Sequence, residues 1–83
     1  MKLFTVHDNK SQSYGPIFQA KTTVDGIRMF EQLCSDPQSF PAKYPADFVL
    51  VEIATYHDQT AQIKQYENQN IVATASDYIK KES

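Results

Sequence analysis

The stretch from Phe48 to His57 constrains the fold most, because it has the pattern of a β-strand that is apolar on both faces. Successive side chains of a strand alternate between two faces. One face carries Val49, Val51 and Ile53, and the other carries Phe48, Leu50, Glu52, Ala54 and Tyr56. A strand with one wet face alternates apolar with polar residues. We therefore expect this strand to be central and covered on both sides, and the second cover could be another subunit.

The N-terminal half has the pattern of a hairpin followed by a helix. The stretches Leu3 to His7 and Tyr14 to Lys21 are rich in aromatic and β-branched residues, and the polar run between them suits a turn. Thr22 or Thr23 can cap a helix whose apolar residues recur at helical spacing, and Pro37 ends that helix.

The segment 36–47 holds three prolines that alternate with Phe40 and Tyr44. This composition predicts an extended, stiff connection between the two halves of the chain. Its two aromatic side chains either fold back on the edge of their own domain or reach a neighbouring subunit.

The C-terminal half repeats the order of the first. After the strong strand, Gln62 to Tyr66 has the polar pattern of a short edge strand, and Ile71 to Lys80 has the spacing of a last helix. Residues 1–83 are therefore predicted to form a single α+β domain of ββα-ββα order. Its mainly antiparallel four-stranded sheet and two helices would assemble as a dimer or higher oligomer. The candidate interface residues are Phe40, Tyr44, Phe48, Leu50 and Tyr56.

The composition limits the cellular compartment and the kinds of cysteine chemistry that this chain can have. The single cysteine, Cys34, excludes an intramolecular disulfide and suits a reducing cytoplasm. Cys34 lies on the apolar stripe of the first predicted helix, where cysteine behaves as a small hydrophobe rather than a nucleophile. No apolar run approaches the roughly 20 residues of a membrane span, and the strand-like start leads us to expect no signal peptide.

Two His-Asp pairs are the one sequence feature that resembles a catalytic or metal-binding motif. His7-Asp8 and His57-Asp58 each close a strand and open a turn, so their four side chains could bind a divalent metal if the turns converged. Neighbouring side chains of a strand point to opposite faces, however, so the members of a pair cannot easily ligate together. We expect polar strand ends, with no metal, no cofactor and no enzymatic activity.

Ten aromatic residues in 83 form an excess that suits stacking on the bases of single-stranded nucleic acid. The candidate residues are the basic Lys2, Lys21, Arg28 and Lys64 and the aromatic Phe48, Tyr56 and Tyr66. The competing interpretation is that these aromatic side chains belong to the core or to a subunit interface. The net charge of −2 favours that interpretation, because nucleic-acid-binding domains are usually basic.

Spaced patches along most of the chain resemble a viral family. They comprise Leu3 to Asp8; Tyr14, Pro16, Phe18, Ala20 and Thr22; Ile27, Arg28 and Phe30; Asp36 and Pro37; Tyr44, Pro45, Asp47 and Phe48; and Ile53 to Asp58. The sequence is similar to the small nonstructural protein that gokushovirus-type microviruses encode in their fifth reading frame. It departs from that family after Asp58, where the expected Thr-Gly turn is missing.

This resemblance implies a bacteriophage protein of the bacterial host cytoplasm that is absent from the mature virion. It also implies DNA binding, with a role between genome replication and the packaging of single-stranded DNA. The first hypothesis is a nonstructural accessory protein that binds single-stranded DNA as an oligomer. The second is an oligomeric protein–protein adaptor that acts on viral or host replication or assembly proteins without binding DNA.

Overall fold

A computed structural model describes residues 1–78, and these form one antiparallel sheet with two helices on one of its faces. The elements are β1 (Lys2–Asp8), β2 (Ser13–Tyr14), β3 (Phe18–Ala20), α1 (Thr23–Ser35), α2 (Phe40–Lys43), β4 (Phe48–His57) and β5 (Gln62–Thr74), with 3₁₀ turns at Pro45–Asp47 and Ala75–Asp77. The strand order is β2-β1-β4-β5, and β3 also pairs with β1. The predicted α+β class, the antiparallel sheet and the central position of β4 are confirmed.

The C-terminal part of the prediction was wrong in one element. Residues 71–74 continue β5 instead of starting a helix, because Ile71, Val72 and Thr74 are β-branched and β4 offers them a partner. Ile71 lies opposite Val51 in the ladder. The predicted helix residues Ile79 and Lys80 lie outside the described residues.

The connection 36–47 is helical rather than extended, so that prediction was also wrong. Ser39 caps α2, since its Oγ accepts a hydrogen bond of 3.2 Å from the backbone N–H of Ala42. Pro41 lies in the first turn of α2, where its missing N–H is harmless and its fixed φ suits the helix. The second helix of the fold is thus in the middle of the chain.

Helix α1 begins and ends as predicted. The Thr22 hydroxyl accepts a hydrogen bond of 3.1 Å from the N–H of Asp25, which makes Thr22 the N-cap. The helix turns Gly26, Phe30 and Cys34 toward the sheet. This face of α1 completes the main core with the wholly buried Phe4 and Leu50 of the two central strands.

The opposite face of β4 is covered within one chain. Val49 and Val51 keep 6% and 2% of their surface exposed, although neither belongs to the helix-side core. The hydroxyl of Tyr14, on one edge of the sheet, donates a 2.9 Å hydrogen bond to Oε1 of Gln69 on the opposite edge. This contact bridges the two edge strands, and burying Val49 and Val51 requires no second subunit.

Within residues 1–78, no helix has both the length and the hydropathy needed to cross a lipid bilayer.

Candidate nucleic-acid interface

A shallow depression of about 380 Å³ lies at the C-terminal end of β4. It contains Lys2, Lys21, Lys64 and Tyr56, which are four of the seven nucleic-acid-binding candidates. The remaining lining residues are Met1, Thr55, His57 and Gln62. Among the described residues that line it there is no carboxylate, so the depression gathers three lysines and Tyr56 at one end of the sheet.

Strand register explains why distant lysines meet here. Lys2 of β1 lies opposite Thr55 of β4, and Thr55 lies opposite Lys64 of β5. Lys2 also lies opposite Ala20, the last residue of β3, so Lys21 follows at the same end of the sheet. The ends of β1, β3, β4 and β5 thus lie side by side. Each of these strand ends contributes at least one residue to the lining of the depression.

The three lysines are not equivalent electrostatically. The Nζ of Lys2 lies 3.5 Å from Oε2 of Glu52 and donates to the Thr23 hydroxyl at 3.3 Å, so its charge is largely balanced within the fold. Lys21 and Lys64 are exposed and make no salt bridge within residues 1–78. Their ammonium groups are therefore the ones available to a bound anion.

Glu52 is the important residue that the sequence interpretation missed. Its side chain is buried in the sheet, where Oε1 accepts a 2.6 Å hydrogen bond from Thr23 and Oε2 accepts one of 2.6 Å from Tyr66. Burial alone raises the pKa of Glu52, but these two hydrogen bonds and the Lys2 ammonium outweigh it and hold the pKa below the usual value. The signal was a lone carboxylate in the middle of an apolar strand.

Tyr66 takes part in this network and lies outside the depression. The hydrogen bond to Glu52, together with burial, raises the pKa of Tyr66 to about 12. Its hydroxyl is therefore committed to the fold. Arg28 is exposed on α1 and does not line the depression either.

Phe48 lies far from the other aromatic candidate on the same strand. It is eight positions away from Tyr56, which is roughly 27 Å at about 3.4 Å per residue, and the register shift at Ile53 places the two rings on opposite faces of the sheet. Phe48 and Tyr56 thus cannot stack on neighbouring bases of one short strand. The site comprises Tyr56 with the lysines, and also His57, which the sequence had suggested only as a metal ligand.

The turn beside the depression shows how the chain replaces a glycine. Ala61 has a φ of 65°, in the left-handed region that favours glycine, and its N–H donates a 2.7 Å hydrogen bond to the His57 carbonyl. The dipeptide Thr60-Ala61 therefore stands where a Thr-Gly turn was expected. The Thr60 hydroxyl lies 3.2 Å from Nδ1 of His57 and steadies that ring at the rim of the depression.

The two His-Asp turns do not converge. His7 lies opposite Val49, eight residues along β4 from His57, so the two rings are at opposite ends of the sheet. The Asp8 carboxylate accepts hydrogen bonds from the hydroxyl and the N–H of Ser11. These bonds close the turn that follows β1. In residues 1–78 there is no cluster of three or more potential metal ligands.

Cys34 is buried in the core, and that burial, with a smaller contribution from Glu31, raises the pKa of its thiol to about 11. A thiol with such a pKa is almost wholly protonated at neutral pH and is a poor nucleophile.

A second surface, here called the apolar groove, lies at the other end of β4. It consists of two adjoining depressions of about 390 and 640 Å³ that share Asp8, Phe40 and Phe48. Three of the predicted oligomer-interface residues, Phe40, Tyr44 and Phe48, line it. Leu50 is wholly buried in the core of one chain, and Tyr56 lies in the basic depression instead.

Comparison with protein families gives one match. The family model described as "Phage ORF5 protein" matches residues 1–78, which is nearly the whole chain. Comparisons with curated proteins and with solved structures find no significant match.

Proposed function

Because the chain belongs to the phage ORF5 protein family, we propose that it binds single-stranded DNA through the basic depression at the Tyr56 end of β4. The observation that carries this proposal is that Lys2, Lys21 and Lys64 line one depression together with Tyr56. These residues are far apart in the sequence, and the strand register alone brings them together.

The depression has the chemistry that a single strand needs. An aromatic ring can stack on any base, and such a contact contributes about 1–3 kcal/mol. Lys21 and Lys64 line the same depression as Tyr56 and can contact phosphates next to the stacked base. A duplex keeps its bases stacked on each other, so Tyr56 would favour single strands.

The expected affinity of one chain is low. Two available lysines would release about two counterions, which gives a slope of log affinity against log salt of roughly −1.4 at about −0.7 per phosphate. The net charge of −2 adds no general attraction for DNA. Such weak binding fits a protein that gathers on exposed single strands at high concentration.

The biological setting of the proposal comes from the resemblance to gokushovirus-type microviruses. We place the activity in the cytoplasm of the bacterial host, between genome replication and packaging, in a nonstructural accessory protein. These details rest on the resemblance, whereas the phage family itself rests on the match over residues 1–78.

Fluorescence anisotropy with a labelled oligo-thymidine strand tests the site. The double variant Lys21→Gln/Lys64→Gln should weaken binding about ten-fold and bring the salt slope close to zero. The matched control is Arg28→Gln/Lys43→Gln, which removes two exposed charges outside the depression. Equal losses in the two double variants, or no binding of the wild-type protein at low salt, would refute the proposal.

The variant Tyr56→Leu separates the contribution of base stacking to DNA affinity from the contribution of charge. It should weaken binding to the strand by about 1–3 kcal/mol while leaving the salt slope unchanged. An unchanged affinity would show that the ring does not contact a base.

The second candidate function, an adaptor between proteins, is favoured by the apolar groove. Phe40 and Tyr44 line this groove together and leave 65% and 56% of their surface exposed, and a contiguous apolar patch marks a surface that binds a partner. An adaptor of this kind predicts that DNA is not bound at any salt concentration, which the anisotropy measurement above tests.

A further inference from the structure

We infer that the apolar groove is the interface of a symmetric homodimer, in which Phe40 of each chain inserts into the groove of the other. This inference goes beyond DNA binding and does not depend on it.

The first support is shape. A two-fold interface joins the same patch on both chains, so that patch must carry both a protrusion and a cavity that accepts it. Phe40 is exposed at the start of α2, and it lines both depressions. The larger depression is lined by apolar side chains that include Leu33, Pro41 and Phe18. One patch thus holds both halves of a self-complementary contact.

The second support is the area that is exposed. At about 200 Å² for an aromatic residue, the exposed fractions of Phe40 (65%) and Tyr44 (56%) amount to roughly 240 Å². That is close to a third of the about 800 Å² that each partner buries in a stable interface. The rest of the groove wall, including the partly exposed Leu33, extends the same apolar surface.

The third support is charge, which selects a second copy over a polyanion. The charged residues that line the groove are Asp8, Lys10 and Asp47. Two carboxylates against one lysine disfavour phosphate at this surface. A two-fold pair allows Lys10 of one chain to approach a carboxylate of the other, and such a contact would occur twice. Lys10 makes no salt bridge within residues 1–78, so it is available for this role.

The position of the groove determines that both basic depressions stay accessible in the dimer. The groove lies at the Phe48 end of β4 and the basic depression at the Tyr56 end, so pairing of the grooves leaves both depressions open. Two depressions on one particle can bind one strand at two points, and the second contact is then intramolecular.

A single tryptophan reports on the groove directly, since the wild-type chain has none. In Phe40→Trp, emission should shift to shorter wavelength as the protein is concentrated, because the indole moves from water into the partner's groove. The matched control is Val24→Trp, at an exposed apolar position of α1 outside the groove. Its emission should stay that of exposed tryptophan at every concentration. A concentration-independent spectrum in Phe40→Trp would overturn the proposal.

Sedimentation equilibrium without DNA gives the stoichiometry. The wild-type protein should approach twice the chain mass of 9.5 kDa, and Phe40→Ser should raise the dissociation constant of the dimer about ten-fold or more. Val24→Ser should leave the dissociation constant unchanged. A monomer at millimolar concentration, an assembly larger than a dimer, or equal effects of the two serine variants would each overturn the proposal. Because DNA is absent, a failure here is separate from a failure of DNA binding.

Discussion

The Tyr66 hydroxyl donates a 2.6 Å hydrogen bond to Oε2 of Glu52, and this contact joins the edge strand β5 to the middle of the sheet. It lies where the ladder between β4 and β5 is irregular, between the pairs Glu52–Asn70 and Ala54–Gln65. The same carboxylate accepts a hydrogen bond from Thr23 at the start of α1. One buried side chain therefore ties the helix and two strands together next to the basic depression.

Replacing Glu52 by alanine should destabilise the protein strongly. The change leaves the partly buried hydroxyl groups of Thr23 and Tyr66 without their acceptor and removes the partner of Lys2, at a cost of about 3 kcal/mol. Urea denaturation followed by circular dichroism measures this loss. The control is Glu67→Ala on the same edge strand β5, where the side chain is exposed and the change should cost less than about 0.5 kcal/mol. Similar losses in both variants would contradict the assigned role of Glu52.

The pKa of Glu52 also predicts how stability depends on pH. Because the folded pKa lies below the usual value of 4.5, the contribution of this group is complete above pH 4.5 and is lost as the pH falls through the folded pKa. Urea midpoints measured on either side of pH 4.5 should fall steeply in the wild-type protein on the acid side. Glu52→Gln should be less stable at neutral pH and lose less on acidification. Asp8, whose pKa is lowered chiefly by the Ser11 hydroxyl, retains its own contribution in that variant. An identical acid loss in both proteins would contradict the account.

Gly26 allows α1 to approach the sheet closely. A Cβ at this position would lie 2.5 Å from Cζ of Phe4, a ring that is wholly buried and has no room to move. Gly26→Ala should therefore lower the free energy of unfolding by about 1–2 kcal/mol, despite the better helix propensity of alanine. Gly15→Ala is the control, since its Cβ would meet only the Val6 carbonyl at an ordinary 3.6 Å. Thermal unfolding of both variants tests this, and a stabilised Gly26→Ala would contradict the packing.

The left-handed turn at Ala61 offers a stabilising change. With a φ of 65°, alanine carries a steric cost there that glycine avoids. Ala61→Gly should therefore raise the free energy of unfolding by up to about 1 kcal/mol, and the urea midpoint reports it. Ala42→Gly, in ordinary helical geometry in α2, should lower it. A loss in both variants would show that Ala61 is not strained.

Local patterns predicted the parts of the fold that short-range forces decide. The N-cap at Thr22 or Thr23 and the helical spacing of α1 lie within single elements, and both were predicted correctly. The alternation in β4 was correct from Phe48 to Glu52 and wrong beyond it, because the register shift at Ile53 exchanges the two faces. The run Ile71–Thr74 was misassigned because its apolar spacing suits either a helix or a strand. The strand is favoured because its β-branched residues suit a sheet and β4 has an edge with which they pair. In the segment 36–47, the Ser39 cap and Pro41 in the first helical turn were the available signals for a helix.

The site was less predictable because it depends on register. Nothing local indicates that Lys2, Lys21 and Lys64 meet, whereas the pairing of Lys2 with Thr55 and of Thr55 with Lys64 makes them neighbours. The same register separates Phe48 from Tyr56, which the alternation along β4 had assigned to one binding face. The expectation that a second subunit covers β4 could not anticipate that Val49 and Val51 are buried within one chain, where Tyr14 and Gln69 join the two edge strands.

The most direct test of the central claim is an NMR titration of the ¹⁵N-labelled protein with unlabelled oligo-thymidine at low salt. The account predicts that the amide signals of Lys21, Tyr56, His57 and Lys64 shift together and saturate with one dissociation constant, while those around Phe40 stay unchanged. Raising the salt should reverse the shifts, since the contacts with phosphate are electrostatic. Shifts concentrated at the apolar groove, or no shifts at any DNA concentration, would contradict it.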